Sequence, residues 1–246
     1  STAIGAKIIH RDNLDSTNIF AFTQAISGEP EGTCVVAESQ NKGKGRLGRK
    51  WSSPDGRNIY LSVILRPMVH PSNVYPITFL SSLAVSDTIE QLTDLRPSLK
   101  WPNDVLVGQR KISGTLIELS TEADMVRFVV IGIGLNVNLE LKDMDREIKA
   151  KATSLLIETK KTFERPRVCG ILLSNLERYY GVFKTDGPRA ICDIWEEKSQ
   201  IRGKYLEINQ MGEVYAGQAK GIDRDGAILL DINGTTKKIL AGDVNF

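Results

Sequence analysis

Apolar residues along the chain recur at two spacings, and each spacing predicts one kind of element. Spacings of three and four predict helices, which cover positions 18–27, 74–95, 167–184 and 188–198. Short apolar or alternating runs predict strands in TCVVAES, NIYLSVILR, LKWPNDVLV, KISGTLIEL and VRFVVIGIGLNVNL. Because the strands outnumber the helices between them, the pattern favours an α+β fold over repeated βαβ units.

The pattern changes from about Ser199. Short β-like runs follow one another, KYLEIN, VYAGQAKGI, GAILLDI and KKILAG, separated by DRDG and NG turns. Closely spaced strands over about 48 residues are typical of a small SH3-like β-barrel. The sequence therefore predicts a large domain over 1–198 and a small one over 199–246.

Composition limits the protein class. The 246 residues are 41% hydrophobic and 25% charged, enough for one large core. No apolar run approaches the roughly 20 residues that cross a bilayer, and the N-terminus lacks a secretory pattern, so we expect a cytoplasmic protein without membrane contact. Cys34, Cys169 and Cys192 are too scattered for a disulfide framework, and His10 and His70 are too few for a histidine metal site.

Positive charge is concentrated in one glycine-rich segment, NKGKGRLGRKW. The net charge is only +2, yet positions 42–50 carry five Lys or Arg residues, which favours a local anion site over a nucleic-acid surface. The Gly-x-Gly-x-x-Gly string lacks the following helix and acidic residue of a dinucleotide fold, and Arg49 and Lys50 replace the lysine and hydroxyl of a P-loop. Lys44, Arg46 and Arg49 could instead close over an anion as a lid, and Trp51 could stack on a base. A solvated basic turn is the alternative.

A second motif is KWPNDVLVGQRKISG. Asn103 and Asp104 form a turn at a strand end, and Asp104 could hold Mg²⁺, which prefers oxygen ligands. Lys111 on the next strand would lie near this turn if the two strands pair. An Asx turn and an ordinary edge lysine are the alternatives.

Two further motifs have both a ligand interpretation and a structural one. Gly132 and Gly134 in GIGLNVN remove side chains from a strand, which would admit a flat ligand or form a bulge. The hydroxyls of DSTN, at positions 15–18, would cap a helix or meet a polar ligand.

Taken in order, DSTN, ESQNKGKGRLGRKW, KWPNDVLV, RKISGTLIEL and GIGLNVN closely resemble the catalytic and C-terminal domains of the biotin protein ligases. The resemblance implies a mixed sheet packed with helices, as in class II synthetases, plus an SH3-like barrel. It also implies a two-step reaction. Biotin and ATP form biotinyl-5′-adenylate with Mg²⁺, and a lysine of a biotin carboxyl carrier domain then takes the biotinyl group.

The resemblance also implies roles for residues at matching positions. Biotin-binding positions are Ser16, Thr17, Asn18, Gln40, Gly43, Lys44, Gly45, Arg46, Lys111, Gly114, Gly132 and Gly134. ATP-binding positions are Arg46, Arg49, Trp51, Asn103, Lys111 and Asn136. Lys111 and Arg46 would be catalytic, and Asp104 would hold Mg²⁺.

Two departures from the family pattern stand out. Lys44 replaces a usual arginine, which loses the planar fork for bidentate phosphate contacts. Only about 15 residues precede DSTN, so we expect the form without an N-terminal DNA-binding domain and no DNA partner.

A homodimer is left open. The alternatives are a lipoate or other acyl protein ligase of the same fold and, from a different class, a nucleic-acid-binding module.

Overall fold

The structure is a computed structural model that describes residues 4–245. Residues 1–3 and 246, which the predicted domain ranges include, lie outside the described residues. The larger of two sheets contains strands β1 (Lys7–Leu14), β2 (Thr33–Gln40), β3 (Ile59–Leu65), β4 (Pro97–Lys100), β5 (Asp104–Val107), β6 (Arg110–Glu122) and β7 (Met125–Leu135). Their order is β1-β2-β3-β7-β6-β5-β4. Because β1 pairs parallel with β2 and the other pairs are antiparallel, the sheet is mixed, which confirms the predicted α+β class.

Helices cover both faces of this sheet. They are α1 (Thr17–Ile26), α2 (Pro76–Leu92), α3 (Arg146–Lys149), α4 (Leu155–Thr159), α5 (Arg165–Thr185) and α6 (Pro188–Ser199). Helix α1 packs on β2, β3 and β7, while α2 packs on the opposite face beneath α5 and α6. Every residue of β3 is therefore buried. Leu61 and Val63 face the α2 core, whereas Ile64 faces α1.

The second sheet contains β8 (Tyr205–Gln210), β9 (Glu213–Ile222), β10 (Ile228–Ile232), β11 (Thr235–Ile239) and β12 (Asp243–Asn245). It is antiparallel in the order β11-β10-β9-β8-β12, as expected for a small SH3-like unit. The two sheets share one core, in which Trp101 donates from Nε1 to Gly226 O at 3.0 Å. The domain boundary at 198/199 stays a prediction.

One prediction of local structure was wrong, and several elements were not predicted. LKWPNDVLV, predicted as one strand, is the β4–β5 hairpin, which reverses at a cis Trp101–Pro102 bond. Strand β1 was not predicted because it is a largely exposed edge strand with no apolar alternation. Helices α3 and α4 lie between β7 and α5, where the apolar spacing predicted no element.

Across residues 4–245, no helix combines the length and apolar character needed to span a membrane. The three cysteines are free thiols. Burial raises the pKa of Cys34 and of Cys192 to about 12 and that of Cys169 to about 11. They are therefore protonated at neutral pH, and their free state agrees with the expected absence of a disulfide framework.

Candidate active site

A cavity of about 640 Å³ opens on the α1 side of the large sheet. Its walls come from the start of α1, the glycine-rich loop 41–51, the β4–β5 turn, strands β6 and β7, segment 139–152 and strand β12. All the predicted site residues line this cavity except Gly43. Gly43 packs on the backbone instead, where a Cβ would overlap the Trp51 carbonyl oxygen. Motifs far apart in sequence thus meet in one hollow.

The start of α1 contributes a network of hydroxyls and amides. Ser16 occupies the N-cap position but makes no side-chain cap hydrogen bond, which weakens the capping interpretation of DSTN. Thr17 donates to Gln40 Oε1 from its backbone N at 2.8 Å and from Oγ1 at 3.1 Å. Ser62 on β3 lies behind them, with its Oγ 2.8 Å from Thr17 Oγ1 and 2.6 Å from Asn18 Oδ1. The network fixes the orientation of each group at this end of the cavity.

The glycines of β7 make room for protein side chains. A Cβ on Gly132 would overlap Asn18 Oδ1, and a Cβ on Gly134 would overlap the Trp51 indole. The flat group above Gly134 is therefore Trp51, and contact of these glycines with a flat ligand stays a prediction. On the neighbouring strand, a Cβ on Gly114 would lie 2.8 Å from Lys111 Cε. The glycines act by seating the residues that line the cavity.

The glycine-rich loop is tied to both sheets. Arg46 donates from Nη1 to Asn103 Oδ1 at 2.9 Å and from Nη2 to Gly242 O at 3.4 Å. Arg49 forms an ion pair with Asp243 on β12, with Nη1 3.3 Å from Oδ1. The hydrogen bond that Arg49 donates to Asp243 raises the pKa of Arg49 above its ordinary value. Asp243 and Arg49 therefore join the C-terminal sheet to the loop.

Lys111 projects into the same region, as the sequence predicted. Its Nζ lies 2.7 Å from Asp104 Oδ1 in a close ion pair without hydrogen-bond geometry, and 5.4 Å from the centre of a Trp51 ring. Strand β5 pairs with β6 as expected, with a register shift that sets Lys111 opposite Leu106. Its backbone is held from the other side, since Lys111 N donates to Lys151 O at 2.8 Å. The lysine is thus fixed on two sides.

Asn136, a predicted ATP ligand, has both ends of its amide engaged within the protein. Its Nδ2 donates to Thr153 O at 2.9 Å, and its Oδ1 accepts from Asn58 Nδ2 at 3.2 Å. The side chain is buried at the cavity wall. These contacts tie the end of β7 to Thr153 and Asn58, and an ATP contact of Asn136 stays a prediction.

The chain's own donors fit Mg²⁺ only together with a phosphate ligand. Within residues 4–245, no group of three or more His, Cys, Asp or Glu side chains is arranged to hold a metal ion. Asp104 lines the cavity, but one of its oxygens faces Lys111. Mg²⁺ often takes one or two protein carboxylates and fills its other positions with water and substrate phosphates. The single carboxylate of Asp104 is therefore enough for a Mg²⁺ ion that is also bound by phosphate and water.

Sequence reasoning missed three contributors to the site. Segment 139–152 adds Leu139, Glu147, Ile148, Lys151 and Ala152 to the wall. Strand β12 adds Asp243 and Val244. Glu118 on β6 contacts Asn18 and Lys44 from just outside the cavity. No motif marks them, although the even spacing of Gly114, Leu116 and Glu118 along a strand could have indicated that they share a face.

Similarity to known proteins agrees with this geometry. The sequence profile of the biotin/lipoate A/B protein ligase family matches residues 12–136, and that of the biotin protein ligase C terminal domain matches residues 207–246. The bifunctional ligase/repressor BirA of Bacillus subtilis is 36% identical over 98% of this chain and 74% of its own length. The biotin–[acetyl-CoA-carboxylase] ligase of Mycobacterium tuberculosis is 33% identical over 93% of this chain and 85% of its own.

A similar fold is seen in the biotin protein ligase of Aquifex aeolicus, solved in complex with biotin and ATP. It superposes with a TM-score of 0.80 at 30% identity, covering 98% of both chains. The similarity therefore extends over both sheets and the cavity between them.

Proposed function

The chain belongs to the biotin/lipoate A/B protein ligase family, and from that premise we propose that it is an ATP-dependent biotin protein ligase. It activates biotin as biotinyl-5′-adenylate and then transfers the biotinyl group to a lysine. The observation that carries the proposal is that Arg46 and Lys111 line one cavity and contact consecutive residues, Asn103 and Asp104.

The first step joins two anions. A carboxylate oxygen of biotin forms a bond to the α-phosphorus of ATP while the bond from that phosphorus to the bridging oxygen breaks, and pyrophosphate leaves. Lys111 relieves the repulsion between the carboxylate and the α-phosphate, and Arg46 binds the phosphate oxygens as charge grows on the leaving group. Both cations are held before ATP arrives, by Asp104 and Asn103. Little reorganisation is then needed at the moment of reaction.

The ends of the cavity suit the two substrates. The polar network of Thr17, Asn18 and Gln40 offers donors and acceptors to the ureido ring of biotin. Trp51 presents an indole beside the cationic loop, suited to stacking on adenine. Ile148 and Ala152 supply an apolar wall near it. The carboxylate and α-phosphate would then meet near Lys111.

Asp104 is the carboxylate that would hold Mg²⁺ at this site together with the phosphates of ATP. When bound, the ion neutralises charge on the phosphates of the nucleotide. The ion pair between Lys111 and Asp104 leaves the second carboxylate oxygen for such a contact.

In the second step the amine of an acceptor lysine attacks the biotinyl carbonyl carbon, the bond to the phosphate oxygen breaks, and AMP leaves. The amine gives its proton to solvent, and no covalent enzyme intermediate is needed. The chain's main task is to keep water from the mixed anhydride until the acceptor arrives. Loop 41–51, tied down by Arg46 and Arg49, serves that purpose. The acceptor is a biotin carboxyl carrier domain, and the reaction takes place in the cytoplasm.

The experiment is to incubate the protein with ATP, Mg²⁺, biotin and a biotin carboxyl carrier domain and to measure the acceptor mass. We expect a gain of one biotinyl group on one lysine, and none when that lysine is replaced by arginine. A gain with lipoate but not with biotin would favour the lipoate branch of the family. No gain with either acid would overturn the proposal.

A further inference from the structure

Glu118 lies at the end of the row of β6 residues that faces the cavity. The register of β6 and β7 places Gly114, Leu116 and Glu118 opposite Gly134, Gly132 and Val130 respectively. Gly114 and Leu116 line the cavity, and Glu118 comes next on the same face. Its side chain is 32% exposed, so it is accessible to the loop as well as to the pocket wall.

One carboxylate oxygen of Glu118 orients Asn18. Asn18 Nδ2 donates to Glu118 Oε2 at 2.9 Å, while Asn18 Oδ1 lies 2.6 Å from Ser62 Oγ. Asn18 is only 4% exposed and packs directly over Gly132. An acceptor on one side and a hydroxyl donor on the other therefore allow a single orientation of this buried amide.

The other oxygen faces the glycine-rich loop. Lys44 Nζ lies 3.9 Å from Glu118 Oε1, which links the first half of the loop to β6. The second half is tied elsewhere, through Arg46 to Asn103 and through Arg49 to Asp243. Glu118 thus contacts both the glycine-rich loop, through Lys44, and the polar network at one end of the cavity, through Asn18.

We propose that Glu118 is a positioning residue that couples closure of the loop to the biotin end of the cavity. Oε2 fixes the Asn18 amide, and Oε1 holds Lys44 and with it the start of the loop. This inference rests on the proposed ligase function and adds to it a determinant of how long the adenylate is retained. Lys44 is a point charge rather than a planar fork, so an arginine at this position would form a tighter, bidentate pair with Glu118.

The two contacts can be separated by two substitutions at the same position. Glu118→Gln keeps an oxygen acceptor for Asn18 but removes the charge that attracts Lys44, whereas Glu118→Ala removes both. We expect Glu118→Gln to release biotinyl-adenylate about threefold faster, as befits a partly exposed ion pair. Glu118→Ala should also raise KM for biotin at least about tenfold, because the buried Asn18 amide loses its acceptor at 2.9 Å and keeps only Leu116 O at 3.4 Å.

The experiment measures release of the adenylate by stopped-flow after formation from ATP and biotin, in the parent, Glu118→Gln, Lys44→Met and the double variant. Coupling predicts that the double variant releases no faster than either single one. It also predicts that salt speeds release from the parent more than from Glu118→Gln, and that Lys44→Arg slows it. Glu122→Gln, near the exposed end of the same strand, is the matched control and should release at the parental rate.

Multiplicative effects in the double variant would overturn the proposal, as would equal release by Glu118→Gln and the parent. Equal melting temperatures across the set would exclude a merely structural origin for the changes. Formation of the adenylate by the parent is checked first, so that failure of the ligase proposal appears as no adenylate at all. Failure of the coupling appears instead as adenylate that every variant releases alike.

Discussion

Arg46 Nη1 lies 2.9 Å from Asn103 Oδ1, although 57 residues separate the two in sequence. The next residue, Asp104, pairs with Lys111 at 2.7 Å. A single turn between β4 and β5 therefore organises two cations from different parts of the chain. Because both cations line one cavity, they can act on the same pair of substrate anions.

Lys111→Ala should lower the rate of adenylate formation by about 10²- to 10³-fold, because one fixed charge at the reacting phosphate is lost. Stability should change by less than about 1 kcal/mol, since the ion pair with Asp104 is partly exposed. Biotin-dependent pyrophosphate release and urea unfolding measure the two quantities. Lys7→Ala, which removes a surface pair with Glu29 away from the cavity, should leave both near parental values. Parental adenylation by Lys111→Ala would remove its catalytic role.

Gly134→Ala should impair ATP binding, because the new methyl group would overlap the Trp51 indole and displace the ring. We expect KM for ATP to rise at least about tenfold and stability to fall by about 1–3 kcal/mol. Gly170→Ala is the matched control. Gly170 lies within α5 with no atom near its Cβ position, so alanine there should stabilise the protein by about 0.5–1 kcal/mol. A normal KM for ATP in Gly134→Ala would contradict the claim that Gly134 positions Trp51 for ATP binding.

Asp243→Asn should weaken the tie between the C-terminal sheet and the loop, because Arg49 loses its ionised partner. The pair is partly exposed, so unfolding free energy should change by no more than about 1 kcal/mol. Adenylate should nevertheless be released a few-fold faster, measured as in the Glu118 series. Asp231→Asn, which breaks a pair with Lys220 elsewhere in the same sheet, is the control. Equal release by both variants would mean that β12 does not hold the loop.

Asp87→Asn should make stability less dependent on pH. Burial alone would raise the pKa of Asp87, but hydrogen bonds from Lys198, Tyr179 and Arg178 outweigh it and lower the pKa. The carboxylate therefore stabilises the fold above its unfolded pKa of about 3.9, and this is lost as the pH falls through the lower folded value. At pH 7 we expect a loss of about 2 kcal/mol in unfolding free energy.

The difference between Asp87→Asn and the parent should shrink as the pH is lowered below about 4. Urea unfolding from pH 7 to pH 2.5 measures it. Asp124→Asn in the exposed β6–β7 turn is the control and should follow the parental curve. A constant difference across this range would show that ionisation of Asp87 is not the source.

The sequence predicted the elements whose burial is patterned. Helices α2 and α5 and strands β2 and β3 pack on a core, so their buried positions must be apolar. The resulting spacing is visible in the sequence. Strand β1 shows no such apolar spacing, because it pairs only with β2 and leaves most of its side chains exposed. The hairpin at Trp101–Pro102 was missed because its two strands are each only four residues long, so neither shows an alternation that distinguishes it from the other.

The residues of the site likewise differ in whether the sequence could predict them. Residues in dense motifs, such as Arg46, Trp51 and Lys111, could be predicted because several uncommon residue types occur together. Glu118 and Asp243 could not, because each matters only through a partner that is distant in sequence. The contact between Gly134 and Trp51 was missed for the same reason, since the two residues lie 83 positions apart in sequence.

The measurement that tests the central claim most directly is biotin-dependent exchange of pyrophosphate into ATP by the parent protein. If this cavity joins biotin to ATP, exchange should require biotin, be absent with lipoate, and fall about 10²-fold or more in Lys111→Ala. Exchange that proceeds without biotin, or equally well with lipoate, would contradict the claim.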